Sequence, residues 1–364
     1  MATTSGIPVT LPGRLGDPTV DMRSDPRADP RVIAALAPFG LDRAAPPPPV
    51  GRTYPREAQL SHLAEREASM EAVLAALVAD LPPIDGVGHS TETVTGVDGN
   101  DISLYISRPF STAGRLPGVL HLHGGGMVYL SAAGPVYVRL RDAVARTGVV
   151  VIGVEFRNGA GVLGAYPYPA GINDCSAALH WANKNRDRLG ICSLFLVGES
   201  GGGNMSLATT LKTKRDGCIE MVDGVYALVP YISGMYGRTE SERATELPSL
   251  VENDGYLMSC AVMDLMACVY DPQGEHATDP LCWPYHATID ELEGLPPHFI
   301  SVNELDPLRD EGIAHYDKLK RAGVAVAMRT VAGACHLADT ILPAQMPDAY
   351  HGMVASIHDF VESR

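Results

Sequence analysis

The chain has 364 residues, 46% apolar and 20% charged, the balance of a globular protein with a sizeable core and not of a disordered one. Its formal net charge of −15 repels a phosphate backbone and an anionic membrane surface, so no nucleic-acid partner is expected. Seven cysteines lie scattered, without CxxC or Cys/His ligand spacing, which argues against a disulfide framework or a zinc site and for a reducing compartment.

The chain opens MATTSGIPVTLPG, with no basic and then apolar leader, so the expected address is cytoplasmic. No apolar run reaches the roughly 18 residues of a spanning helix, and no membrane span is expected. Residues 1–55 are rich in Pro, Gly, Asp and Arg and end in Pro46–Pro49, which favours extended geometry; they read as an arm over the body. From Arg56 to Ala79, Leu60, Leu63, Met70, Val73, Leu74, Leu77 and Val78 recur at helical spacing, an amphipathic helix stopped by Pro82-Pro83.

Beyond about residue 90 strands and helices alternate. Ile102 to Ser107 follows the turn Asp98-Gly99-Asn100 and is predicted as the edge strand of a hairpin. Short apolar runs at Gly118–Leu122, Val149–Val154, Leu194–Val197, Val225–Val229, Phe299–Val302 and Val324–Val331 suit strands covered on both faces. Helical stretches lie between them at Val136–Arg146, Ile172–Arg188, Asn204–Lys214 and Ile313–Arg321. The alternation predicts an α/β fold with a central parallel sheet. Ser233 to Ala277 is far too long for a loop and holds a helical stretch, Tyr256–Tyr270, carrying Met258, Met263 and Met266. It reads as a lid insertion that works with the N-terminal helix. The expected organisation is an arm and cap helix over 1–85 and a catalytic domain over 86–364, with the cap insertion at about 233–277.

Chemistry concentrates in two motifs. Gly198-Glu199-Ser200-Gly201-Gly202 stands between a strand and a helix, the context of a nucleophile elbow. His123-Gly124-Gly125-Gly126 follows an earlier strand, and its glycines let backbone N–H groups of Gly125 and Gly126 converge with that of Gly201 on one oxyanion. His123 itself reads as a loop-stabilising residue. The fold's order then demands an acid and a His. His336 follows the last predicted strand, on a loop at the sheet's carboxyl edge, whereas the other late histidines lie on helices, open a strand or precede the acid. Four carboxylates compete for the acid in the stretch Asn303 to Glu311: Glu304, Asp306, Asp310 and Glu311, with Asp306 best placed on the loop. Cys335, beside the base, reads as a small filler facing away from the site.

Taken together, HGGG, the GESGG elbow, the DPLRDE stretch and the late His resemble the hormone-sensitive-lipase family of α/β-hydrolase esterases over residues 85–364. The resemblance implies an α/β-hydrolase fold with a helical cap, a Ser200–Asp306–His336 triad, and an oxyanion hole of Gly125, Gly126 and Gly201. It implies hydrolysis of a small-molecule carboxylic ester, lactones included, with no metal or organic cofactor. Many members have Asp and Ala where this chain has Glu199 and Gly201, and an aromatic residue where it has Met127. Met127 and Glu199 are therefore expected at the substrate. Competing readings are an amidase with the same triad and a ligand-binding receptor of the same fold, which would dispense with the catalytic His.

Overall fold

The computed structural model describes residues 11–44, 46–110 and 114–363. Its centre is an eight-stranded sheet: β1 (Val87–Thr95), β2 (Asp101–Pro109), β3 (Leu116–Leu122), β4 (Val150–Val154), β5 (Ile191–Glu199), β6 (Gly224–Leu228), β7 (His298–Asn303) and β8 (Val326–Val331). The spatial order is β1-β2-β4-β3-β5-β6-β7-β8. β2 runs antiparallel to β1 and to β4, and all later pairings are parallel. Ile102 to Ser107 is thus one strand in from the edge, because the outermost place goes to β1. That strand, with three threonines and most of its residues at least partly exposed, presents no apolar run to be read from sequence.

β3, β4 and β6 are buried along their whole length. The reason is cover on both faces: Pro135–Arg146 and Pro347–Glu362 pack on one side, Ala170–Lys184 and Gly201–Arg215 on the other. The order of strand addition reverses between β3 and β5: β4 adds on one side of β3, and β5 begins the march to the other. The two glycine motifs follow these two adjacent strands, which pair Leu122 with Gly198, so both loops open at the topological switch point.

Residues 11–44 are folded onto the body, with a short helix at Pro30–Leu36 that buries Val32, Ala35 and Leu36; residues 1–10 of the predicted arm lie outside the described residues. The long N-terminal helix runs Arg56–Val78. The stretch from 233 to 277 contains helices Glu240–Glu246, Ser249–Glu252 and Cys260–Tyr270. The last begins four residues later than predicted because Ser259 caps it, its hydroxyl accepting from the Val262 amide. The arm is tied to this stretch by the Arg52–Asp264 ion pair at 2.6 Å.

Candidate active site

Ser200 sits at the joint between β5 and the helix Gly201–Arg215, with φ 57° and ψ −117°. A left-handed backbone is unfavourable for a side-chain-bearing residue. It is held by hydrogen bonds on both sides: the Ser200 amide donates to the Leu228 carbonyl at 2.9 Å, and the Ser200 carbonyl accepts from the Tyr231 amide at 3.1 Å. The glycines are sterically required. A Cβ on Gly198 would lie 2.2 Å from the Gly202 carbonyl oxygen, and one on Gly202 would lie 1.8 Å from the Leu122 carbonyl oxygen.

His336 and Asp306 reach this serine from the β8 and β7 loops. His336 Nδ1 is 2.7 Å from Asp306 Oδ2, and His336 Nε2 is 3.0 Å from Ser200 Oγ. All three side chains are buried, Asp306 completely. The second Asp306 oxygen accepts from the Leu308 amide at 2.9 Å, fixing the carboxylate's rotation. The two loops are laced together: the Glu304 and Leu305 amides donate to the Val331 and Ala334 carbonyls, and Asn303 Nδ2 donates to the Cys335 carbonyl at 2.7 Å. The competing carboxylates have other work. Glu304 accepts from the Gly333 amide at 2.8 Å, Asp310 from the Ser249 amide at 2.7 Å, and Glu311 from the Ile232 amide at 2.9 Å and the Tyr236 hydroxyl at 3.0 Å.

The glycine loop crosses directly above the elbow. Gly125 and Gly126 have φ 107° and 60°, and a Cβ on Gly125 would meet the Tyr129 carbonyl oxygen at 2.0 Å. The approach to the elbow is close enough that a Cβ on Gly201 would lie 2.6 Å from the Gly126 nitrogen. His123 is wholly buried, stacks on Phe156 with ring centroids 4.3 Å apart, and donates from Nδ1 to the Gly124 carbonyl. Burial pulls its pKa down and keeps the ring neutral. Cys335 is buried, with its thiol pushed well up by burial, so it carries no thiolate.

Two expectations do not hold. Neither Met127 nor Glu199 lines the cavity over Ser200. Met127 is part of the core. Glu199 is completely buried beneath the glycine loop, accepting from the Gly124 amide at 3.0 Å and facing His121 Nε2 at 3.0 Å. Neighbouring side chains at the end of a strand point to opposite faces, so a residue next to an outward serine faces inward.

What does line the cavity is apolar: Met70 and Leu74 from the N-terminal helix, Tyr129, Leu130 and Tyr137 after the glycine loop, and Leu257, Met258 and Met266 from the insertion. Tyr129 and Leu130 escaped sequence reading because nothing but their position just after HGGG marks them, and Tyr137 because it lies on the next helix, Pro135–Arg146. Glu67 clamps the N-terminal helix to this wall; its carboxylate accepts from the Leu130 and Val162 amides, each at 2.8 Å.

An open, mostly parallel sheet with helices on both faces, a strained serine after its fifth strand and a His-Asp pair in hydrogen-bond reach define an alpha/beta hydrolase. The chain belongs to that family, whose alpha/beta hydrolase fold model matches residues 119–339. Among solved structures it is similar to brefeldin A esterase, a bacterial homologue of human hormone-sensitive lipase. That likeness is at 47% identity, over 97% of this chain and 98% of that one, with a TM-score of 0.94. It is similar also to esterase Est22, at 36% identity over 95% of this chain and 100% of that one, TM-score 0.83. A carboxylesterase of Mycobacterium tuberculosis, NlhH, is 34% identical over 65% of this chain and 71% of its own length.

Proposed function

We propose that this protein is a serine carboxylesterase that hydrolyses small-molecule carboxylic esters through an acyl-enzyme. The observation that carries the reading is the unbroken line of hydrogen bonds from Asp306 through His336 to Ser200 Oγ, at 2.7 and 3.0 Å. His336 donates from Nδ1 to Asp306, which leaves Nε2 with a lone pair aimed at the serine hydroxyl. Ser200 Oγ attacks the ester carbonyl as Nε2 takes its proton. The developing oxyanion is met by the N–H groups of Gly125, Gly126 and Gly201. Nε2 returns the proton to the departing alcohol, and water repeats the cycle on the acyl-enzyme. The same steps open a lactone. They call for no metal or organic cofactor.

In this reading the helix Arg56–Val78 and residues 233–277 form a cap over the sheet domain of residues 86–364, supported by the shared wall of Met70, Leu74, Leu257, Met258 and Met266. A reducing, cytoplasmic setting agrees with seven cysteines that are all free, and the net charge of −15 leaves nucleic acid outside its partners. A receptor of this fold has no use for a base in hydrogen-bond reach of a strained serine. The test is a p-nitrophenyl acetate assay with organophosphate labelling. Wild type gives a burst of p-nitrophenol and an adduct on Ser200, and Ser200→Ala loses on the order of 10⁶ in kcat. Labelling at another serine refutes the assignment.

A further inference from the structure

The free space over Ser200 is about 50 Å³, room for a water or two and not for an ester. To hold an ester this narrow space has to widen at one of its walls. Two walls face outside grooves. Leu74, Leu130 and Tyr137 separate the cavity from a groove of about 340 Å³ that also carries Glu71. Leu257 and Met258 separate it from a second groove, of about 260 Å³, that carries Arg43, His62 and Arg66.

The two walls differ in support. Leu74 and Tyr137 stand on helices, and Leu130 is held by the Glu67 carboxylate at 2.8 Å. Leu257 and Met258 lie outside any helix or strand, and Leu257 has a left-handed backbone at φ 66°, a strained setting for a side-chain-bearing residue. The second wall is therefore the less supported of the two.

The groove behind that wall is out of character for this molecule. In a chain of net charge −15 it is lined by two arginines and a histidine and, among the described residues, by no carboxylate. Of the carboxylates that flank it in sequence, Asp42 pairs with Arg23, Asp254 accepts from the Cys260 amide at 2.7 Å and lies 3.6 Å from Arg243, and Glu65, beside Arg66, is exposed and does not line the groove. Arg66 Nε is buried and has no hydrogen-bond partner. His62, Arg66 and Met70 fall four residues apart on the same helix, and so share one stripe. Met70 touches the Ser200 cavity, which places Arg66 one turn, about 6 Å, farther out along the helix axis.

We propose that substrates enter past Leu257 and Met258, and that the Arg43–Arg66 groove is an anion subsite for a carboxylate carried by the ester several bonds from the reacting carbonyl. Glu71 in the opposite groove repels the same charge, so the two sides of the cavity select the substrate's orientation. This deepens the esterase reading and rests on it.

The experiment measures kcat/KM for two pairs that differ only in a carboxylate or its carboxamide. p-Nitrophenyl hydrogen adipate and its amide place the charge on the acyl half; 4-acetoxybenzoate and 4-acetoxybenzamide place it on the leaving half. Wild type prefers the anionic member in one pair, and that pair shows which half lies in the groove. The preference falls about tenfold in the Arg43→Gln/Arg66→Gln double variant, survives in Arg66→Lys, and shrinks as salt is raised. Arg43→Gln alone, at an exposed position, shows part of the loss and guards against a double variant that folds poorly. No carboxylate preference in either wild-type pair, or a preference untouched by these variants, overturns the proposal while the neutral esters still turn over. If wild type hydrolyses none of the four and Ser200 takes no organophosphate, the esterase reading fails and the subsite with it.

Discussion

Gly201→Ala probes how closely the glycine loop is fitted over the elbow. Gly201 opens the helix after Ser200 with ordinary helical backbone, so alanine meets no conformational obstacle there. The obstacle is space. The new methyl would lie 2.6 Å from the backbone nitrogens of Gly126 and Met127 and 2.7 Å from Gly126 Cα, about 1 Å short of ordinary contact. The helix cannot retreat, because Gly202 already bears on the Leu122 carbonyl and the Ser200 amide is bonded to Leu228. The loop must move instead, carrying the Gly125 and Gly126 amides with it. Oxyanion donors act at about 2.7–3.1 Å, and losing one costs on the order of 10²–10³ in kcat. If these two amides are the oxyanion donors proposed above, a shift of about 1 Å in both lowers kcat on p-nitrophenyl acetate by about 10². KM changes little, since a neutral ground-state carbonyl gains less from these donors than the oxyanion does. A Gly201→Ala enzyme that keeps kcat within about threefold of wild type refutes the argument that the loop is fitted this tightly.

Asp306→Asn leaves the fold intact but favours the wrong His336 tautomer, lowering kcat by about 10⁴; Glu304→Gln and Asp310→Asn cost far less, and the reverse ranking in steady-state assays means the acid is misassigned. Glu311 is wholly buried, and burial pushes its carboxyl up to about 8 from an ordinary 4.5. The native state therefore holds this proton more tightly than the unfolded chain, so its stabilising effect is full below 4.5 and is lost as pH rises through about 8. Glu311→Gln flattens the decline of melting temperature across that window, and an unchanged slope places the pH dependence elsewhere. Deleting residues 1–80 removes Met70 and Leu74 from the cavity wall; the ratio of kcat/KM for a bulky ester to that for acetate falls, and an unchanged ratio refutes a cap made by this helix.

The strands from β3 onward, the two glycine motifs and the N-terminal helix were legible because each rests on a local rule: apolar runs, glycines forced by close approach, a helical stripe. The acid was less so. Glu304 and Asp306 share one loop and Asp310 stands in the first turn of the helix after it, and tertiary partners separate them, Gly333 for Glu304, Ser249 for Asp310 and His336 for Asp306. Glu199 was misread for a related reason. Its neighbour Ser200 faces the cavity, but the pleat turns Glu199 inward, where the Gly124 amide and His121 occupy it. β1 carried too few apolar residues to be seen.

The wall of the cavity also bears on how the molecule is made. Met70 and Leu74 leave the ribosome early, whereas Leu257, Met258, Met266 and Ile341, which face the same space, are encoded far downstream. At ordinary synthesis rates of about 5–20 residues per second, the helix Arg56–Val78 waits roughly ten seconds or more for Leu257. During that interval the part of its apolar stripe that faces Leu257, Met258 and Met266 lacks its final partners. A nascent chain stalled before the C-terminal region would carry Ser200, the glycine loop and most of the sheet, yet lack His336 and the Ile341 part of the cavity wall. Under the mechanism proposed above, such an unfinished chain has no base to activate Ser200 and hydrolyses no ester.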